Sequence, residues 1–426
     1  MESILIILGL LLLTLLGAPL YAIFGAIAML SFAAEGIDPS VIMVDLNRIA
    51  TNPTLVAIPL FTFAGYALAE SKAPVRLVNV ARALFGWIPG GLGVVTLVTC
   101  ALFTAFTGAS GVTIIALGGL LFPILIQEQY PERFSLGLVT SAGSLGLLFP
   151  PSLPLILYAL VASISVDKLF AAGLIPGIIL LLVLGIYVVR GGVVYRIPRQ
   201  TFRWDTTLKA IREAAWEIPL PVVIVGGIYA GVFTATETAA VTAFYVLVVE
   251  VGIYRDLHFV RDVPRVMRES MVLVGAILMI IGVAMGLTNY LVDQEVPVRL
   301  FELTREYISS PTMFLIVLNA FLIVVGMMMD IFSAIIVVVP LIKPIADAYG
   351  IDQVHLGIIF LTNLEIGYLT PPVGLNLFMS SLRFQKPVLS VVRAVAPFIL
   401  ILLLALLLIT YVPELSLWLV GVLGVQ

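Results

Sequence analysis

Two proline pairs are set inside long apolar runs, and they are the residues whose types and spacing could do chemistry. Leu147–Pro154 reads LLFPPSLP and Tyr368–Leu375 reads YLTPPVGL, which places Pro150-Pro151 and Pro371-Pro372 221 residues apart. Proline lacks an amide N–H and clashes with the preceding turn, so each pair interrupts a helix and frees carbonyls. A bare carbonyl in apolar surroundings is costly unless something coordinates it, and a dehydrated small cation such as Na⁺ is a suitable partner. Oxygen-bearing side chains flank both breaks: Ser152 at the first, Thr370 and Asn376 at the second. Gly146, Gly367 and Gly374 allow close backbone approach there, although small residues also serve plain helix packing.

Upstream of each break stands a short glycine-containing segment between two apolar runs. Gly108, Ser110 and Thr113 mark the first; Gly326, Asp330 and Ser333 mark the second. Gly108 precedes Pro150 by 42 residues and Gly326 precedes Pro371 by 45, so the two constellations share one plan. Hydroxyls in membrane helices often bond their own backbone; their gathering at tips and breaks sets these apart, with Na⁺ ligation expected at Ser110, Asp330 and Thr370. A carboxylate at the centre of a membrane helix costs about 2.5–3.5 kcal/mol, so Asp330 either lies at a wet turn or has a role, binding Na⁺ or fixing its tip. Glu365, one turn before the second break, either makes a structural hydrogen bond to the hairpin or acts in transport. Glu237 reads as a turn residue and Asn363 as structural.

The elements that position these residues must lie in a membrane. The chain has 426 residues, is 61% apolar and only 11% charged, against about 45–50% and 25% in soluble domains. That excludes a soluble enzyme, a disulfide scaffold and a disordered chain. A net charge of -3 offers no basic field for nucleic acid. The one cysteine, Cys100, excludes disulfides and Cys-based metal sites. No Glu-x-x-His or His-x-x-x-His pair occurs around His258 or His355, Ser110 has no His within plausible reach, and no phosphate-binding Gly-Lys-Ser/Thr loop is present. No catalytic residues are expected, and the chain is not an enzyme.

A span needs about 20 apolar residues, so roughly a dozen membrane segments fit, beginning with a retained first run at Ile4–Phe32. The basic loops Arg190–Glu217 and Arg255–Glu269, the loop around Lys72, Arg76 and Arg82, and the turn at Arg383–Arg393 are cytoplasmic by the positive-inside rule; the acidic stretches Glu35–Arg48 and Asp293–Glu306 lie outside. Loop parity permits either full spans or re-entrant hairpins around GASG (Gly108–Gly111) and GMMMD (Gly326–Asp330), but both segments are too short and apolar for aqueous loops, which favours a re-entrant hairpin tip at each. Such backbone is tolerated only under protein or facing a water-filled cavity.

The expected fold is all-α and polytopic: an inverted-repeat transporter with two re-entrant helical hairpins and two broken helices. Residues 1–190 hold the first repeat: scaffold span, amphipathic arm at 74–86, hairpin at 91–127, broken helix at 133–164. Residues 191–234 are a basic cytoplasmic loop and a connecting span. Residues 235–426 hold the second repeat: arm at 295–308, hairpin at 311–349, broken helix at 354–383, and a final span. The arm residues Arg76, Asn79 and Arg82 recur 223 positions later as Arg299, Glu302 and Arg305; Arg76 and Arg82 read as solvated or headgroup contacts that also steady the scaffold. Inverted repeats with broken helices place the site at the midplane of secondary transporters.

At these residues the sequence resembles the large membrane subunit of the tripartite ATP-independent periplasmic (TRAP) transporters. LEIGYLTPPVGLNLF (Leu364–Phe378), LLFPPSLPLILY (Leu147–Tyr158) and LFAAGLIPG (Leu169–Gly177) are similar to family motifs. So are Gly108, Ser110 and Thr113 at one tip and Gly326, Met329 and Asp330 at the other. Two positions depart from the pattern: Ala109 stands where a second serine is usual, and Ile331 where a proline often follows the aspartate. The resemblance covers nearly the whole chain. It implies an elevator mechanism with Na⁺ as coupling ion and no other cofactor. It also implies a bacterial inner-membrane location, a small four-span membrane subunit and a soluble periplasmic substrate-binding protein. The substrates implied are organic acid anions: C4-dicarboxylates, 2-oxo acids or sialic acid. The alternative within transport is a stand-alone elevator-type symporter for dicarboxylate or citrate, which needs no binding protein.

Overall fold

The structure, a computed structural model, describes residues 20–51, 53–198, 201–308 and 310–424. The start of the first apolar run falls outside them. All regular structure among the described residues is helical.

The first half runs α1 (Leu20–Ala34), α2 (Val41–Ala50), α3 (Ala57–Glu70), the arm α4 (Ala73–Phe85), α5 (Gly91–Thr107), α6 (Ser110–Gln127), α7 (Glu132–Ala142), α8 (Leu153–Ala162) and the long α9 (Val166–Val194). A linker carries α10 (Trp204–Glu213) and the short α11 (Pro219–Tyr229). The second half runs α12 (Ala235–Ile253), α13 (Asp262–Asp293), the arm α14 (Val296–Tyr307), α15 (Pro311–Met328), α16 (Ile331–Ala348), α17 (Gln353–Gly367), α18 (Leu375–Phe384), α19 (Val388–Tyr411) and α20 (Glu414–Leu423). Seven of these are long and apolar enough to cross a membrane: α6, α9, α12, α13, α15, α16 and α19. An eighth is the pair α7 and α8, bent by 44° at its break.

Two helices contain a π turn, an inserted residue in the i→i−4 ladder: α6 at Ile114–Gly118 and the end of α12 at Val248–Ile253. Helix α1 and helix α2 lie on α13, and α3 lies between α12 and α13. The hairpins and broken helices form a second group, in which α15 packs along α17, α19 along α7, and α5 against α9.

Local chemistry explains both hairpin tips. Helix α5 stops at Gly108, which adopts φ 64° and closes the last turn through its N–H to the Thr104 carbonyl at 2.8 Å; only glycine takes that conformation freely. Ala109 is extended and α6 begins at once. At the second tip Met329 is extended, and the Asp330 side chain accepts the N–H groups of Phe332 and Ser333 at 3.0 Å each. Asp330 is therefore the N-cap of α16.

Candidate functional site at the two tips and two breaks

The first break is longer than its prolines alone dictate. Helix α7 ends at Ala142, Leu145–Leu148 forms a 3₁₀ turn, and α8 begins at Leu153. The unwinding starts at Gly143 because hairpin one lies directly on it. A methyl at Gly143 would sit 2.5 Å from Ile114, and one at Gly146 would sit 2.1 Å from the Ala101 carbonyl oxygen. The Thr104 hydroxyl donates to the Gly143 carbonyl at 2.8 Å and meets the Thr113 hydroxyl at 2.7 Å. Both legs of the hairpin thus grip the unwound backbone. At the far side Gly108 abuts Leu153, the first residue of α8.

The second break has the same plan. Gly326 of α15 and Gly367 of α17 meet backbone to backbone, so that a methyl on Gly367 would lie 2.6 Å from the Gly326 Cα. The Gly374 N–H donates to the Met327 carbonyl at 3.0 Å, and Asn376 N–H to the Tyr368 carbonyl at 3.2 Å. The Tyr368 hydroxyl accepts the Ile331 N–H at the start of α16. Gly374 has φ 46°, which turns the chain into α18.

The two halves meet at the first tip and the second half-helix. The Ser110 hydroxyl, on the first tip, donates to Oδ1 of Asn376, on the second half-helix, at 2.7 Å. Gly111 lies against Met379, and the Thr140 hydroxyl donates to Ser380 at 2.8 Å. Residues far apart in sequence therefore share one buried locus.

The helix ends sort by charge. The C-terminal end of α5 faces that of α7, and the C-terminal end of α15 faces that of α17. Each pairing brings partial negative charge together. The N-terminal ends of α6 and α18, which carry partial positive charge, meet at Ser110 and Asn376. The same framework thus offers two places suited to a cation and one suited to an anion.

Polar atoms without partners lie in the same elements. The hydroxyl oxygens of Thr107, Ser141 and Ser152 and the Nδ2 of Asn376 are buried and unbonded. Two of the breaks' own polar groups are thus available to a ligand: Ser152 Oγ as an acceptor for a cation, Asn376 Nδ2 as a donor to a carboxylate. Other sequence-expected residues already have bonds. The Thr370 hydroxyl donates to the Ile366 carbonyl at 2.9 Å, and the Ser333 hydroxyl bonds the second oxygen of Asp330. Pro150-Pro151 and Pro371-Pro372 both have cis peptide bonds. Thr104, Thr107 and Tyr368 were not singled out from the sequence. Thr104 and Thr107 carry a positional signal, lying within one turn before Gly108.

Three side chains differ from their sequence reading or sharpen it. Both carboxyl oxygens of Glu365 are buried without a hydrogen-bond partner, so no structural bond to the hairpin exists. Glu237 forms a capping box with Thr234, as a turn residue does. Asn363 donates its side-chain amide to Asn319 at 2.7 Å and to the Ile359 carbonyl at 2.8 Å, while its Oδ1 is buried without a partner.

Of the first arm's arginines, Arg76 is withdrawn from solvent, while Arg82 stays partly exposed. Arg76 is 11% exposed and is held by three carboxylates from three segments: Glu217, Asp256 at 2.6 Å and Glu250 at 3.1 Å. Its guanidinium also lies 3.8 Å from the Tyr254 ring centroid. Arg82 pairs with Glu128 at 2.7 Å. These partners lie far along the chain, where local patterning gives no sign of them.

The chain matches the family model described as "Tripartite ATP-independent periplasmic transporter, DctM component" over residues 7–415. It is 38% identical over 406 residues to the C4-dicarboxylate TRAP transporter large permease protein DctM of Pseudomonas aeruginosa, covering 94% of each chain. It is 32% identical over 412 residues to the isethionate TRAP transporter permease protein DctMQ of Oleidesulfovibrio alaskensis, covering 95% of this chain and 64% of that one. It is 31% identical over 367 residues to the ectoine TRAP transporter large permease protein TeaC of Halomonas elongata, covering 86% of each. Among solved structures, the YdaH transporter of Alcanivorax borkumensis superposes with a TM-score of 0.64 at 12% identity, over 88% of each chain. That likeness concerns the fold alone.

Proposed function

Because the chain belongs to the DctM component of the tripartite ATP-independent periplasmic transporters, multi-pass permease subunits rather than enzymes, we propose that it carries a C4-dicarboxylate inward across a bacterial inner membrane, driven by Na⁺. The single observation that carries this reading is the junction of Ser110 and Asn376, where the first tip meets the second half-helix. Two helix N-termini and the spare Asn376 amide N–H suit a substrate carboxylate. The paired C-termini beside them, with Ser152 and Thr107 hydroxyls, suit Na⁺. Asp330 holds the second tip in shape and contributes negative charge to it.

The substrate class follows the DctM relatives named for C4-dicarboxylates. Relatives named for isethionate and ectoine support a site that recognises an anionic group and leaves the rest of the molecule to other contacts. One positive charge entering across 100 mV supplies about 2.3 kcal/mol, so excess Na⁺ moves a dianion inward against its gradient. The hairpins and broken helices move as one body past the group formed by α1–α3 and α11–α13, carrying substrate and Na⁺ together. A small four-span subunit and a periplasmic binding protein complete the system; the DctMQ relative, of which this chain spans 64%, has room for the former.

The test is uptake of labelled succinate into proteoliposomes containing the permease and its co-expressed small subunit. Uptake that needs both an inward Na⁺ gradient and substrate-loaded binding protein is the expected result. Na⁺-driven uptake without any binding protein identifies a stand-alone symporter, and uptake indifferent to Na⁺ removes the coupling.

A further inference from the structure

The linker between the halves contains a helix with three distinct faces. In α10, Thr207 and Ala210, followed by Ala214 at the helix end, are buried, and the Thr207 hydroxyl reaches the Ala83 carbonyl of the arm α4 at 3.4 Å. A second face holds Asp205, Lys209, Arg212 and Glu213, all exposed. The third holds Trp204, Leu208 and Ile211, which at 3.6 residues per turn fall within an arc of roughly 60°. Trp204 is 75% exposed and Leu208 68%. Packing on α4 thus uses one face and leaves a large apolar stripe uncovered.

Exposed apolar residues flank the helix along the chain on both sides: Val193, Val194 and Tyr195 at the end of α9, Phe202, whose ring centroid lies 5.1 Å from that of Trp204, and Ile218 and Val222 at the start of α11. The linker's exposed charge is mainly basic: Arg190, Arg196, Arg203, Lys209 and Arg212, against Asp205 and Glu213 of α10, with Lys209 4.0 Å from Glu213. An apolar face bordered by Lys and Arg, with a tryptophan at its end, is the pattern of a helix lying in the plane of a membrane interface. The positive-inside rule puts this loop at the cytoplasmic leaflet, whose anionic lipids attract such groups.

We propose that α10 is an interfacial anchor that binds anionic phospholipid headgroups of the cytoplasmic leaflet. It buries Trp204, Leu208 and Ile211 among the acyl carbonyls while Arg203, Lys209 and Arg212 hold phosphates. Because α10 also packs on α4, whose Arg76 is clamped by Glu217, Glu250 and Asp256, the anchor fixes the inner end of the scaffold at a set depth. The inference rests on the cytoplasmic placement of the linker and not on the identity of the substrate.

The experiment uses the full-length permease in nanodiscs. Trp87, Trp216 and Trp418 are changed to Phe, so that Trp204 is the sole tryptophan. Lipids brominated near the carbonyls are expected to quench Trp204, and aqueous iodide to leave it bright; iodide quenching with no effect of bromolipid overturns the proposal. In discs of phosphatidylcholine with graded phosphatidylglycerol, spin-labelled phosphatidylglycerol is expected to be preferred over phosphatidylcholine. K209Q with R212Q lowers that preference roughly 25-fold, each basic group near an anionic surface being worth roughly fivefold. An unchanged preference removes the headgroup assignment. Should the triple Phe background fail to assemble, Leu208→Cys in the otherwise native chain serves instead, since Cys100 is buried. Full labelling of that thiol by a membrane-impermeant maleimide in lipid, or its protection by the small subunit in detergent without lipid, overturns the proposal.

Discussion

Gly367→Ala tests the second break at its narrowest point. The added methyl would lie 2.6 Å from Gly326 Cα and carbonyl carbon and 3.0 Å from Met327 N. All three atoms are backbone, so no side-chain rotation relieves the contact. Carbon atoms rest about 3.5–4.0 Å apart, so α15 and α17 must separate by about 1 Å. Overpacking of this kind costs typically 1–3 kcal/mol. If bound Na⁺ requires the closed junction, that energy is taken from Na⁺ binding, and at about 1.4 kcal/mol per tenfold the half-saturating Na⁺ concentration rises by roughly 5- to 150-fold. The assay is the Na⁺ dependence of initial succinate uptake in proteoliposomes, with thermal unfolding in detergent to show that the variant assembles. Gly185→Ala is the control, since nothing lies within 4 Å of a methyl there. An assembled Gly367→Ala permease with the parental Na⁺ dependence refutes a cation site built from the abutting ends of α15 and α17.

Ser110→Ala and Asn376→Ala each weaken substrate binding, and a double-mutant cycle on apparent substrate affinity gives a coupling of about 0.5–1.5 kcal/mol, the net worth of a hydrogen bond; strict additivity argues against the junction. Asp330→Asn keeps an N-cap acceptor but removes the charge, so Na⁺-dependent uptake falls while assembly, followed by size-exclusion chromatography, persists. Arg76→Met strands three carboxylates and is expected to destabilise by about 3–5 kcal/mol, read as a lowered unfolding midpoint; Arg299→Met, at an exposed residue of the other arm, leaves the midpoint in place. Pro371→Ala with Pro372→Ala lets the second helix extend and raises the Na⁺ requirement, which the same uptake titration measures.

What could be read in the sequence was what residue type alone decides. Pro150-Pro151 and Pro371-Pro372 announce interruptions because no proline pair continues a helix, and Gly108 and Asp330 announce tips because they suit a turn and a cap. The start of the first break was not legible, because it depends on the close approach of Ile114 to Gly143 and on the Thr104 hydroxyl that bonds the Gly143 carbonyl, both contacts from the hairpin. The ties of Arg76 to Glu217, Glu250 and Asp256 span 141 to 180 positions, beyond any local period. The partnerless carboxyl of Glu365 was equally hidden, since its sequence neighbours are those of an ordinary apolar helix. Ser110 and Asn376 were each legible as oxygen-bearing groups, but their meeting across 266 positions depends on the superposition of the two halves.

The π turn at Val248–Ile253 sets the azimuth of Glu250. One residue removed from that turn would restore ordinary α phase and swing every later side chain by roughly 100°, carrying Glu250 away from the Arg76 guanidinium without altering a single contact residue. The inner arm is therefore tuned by the length of the chain as much as by its composition.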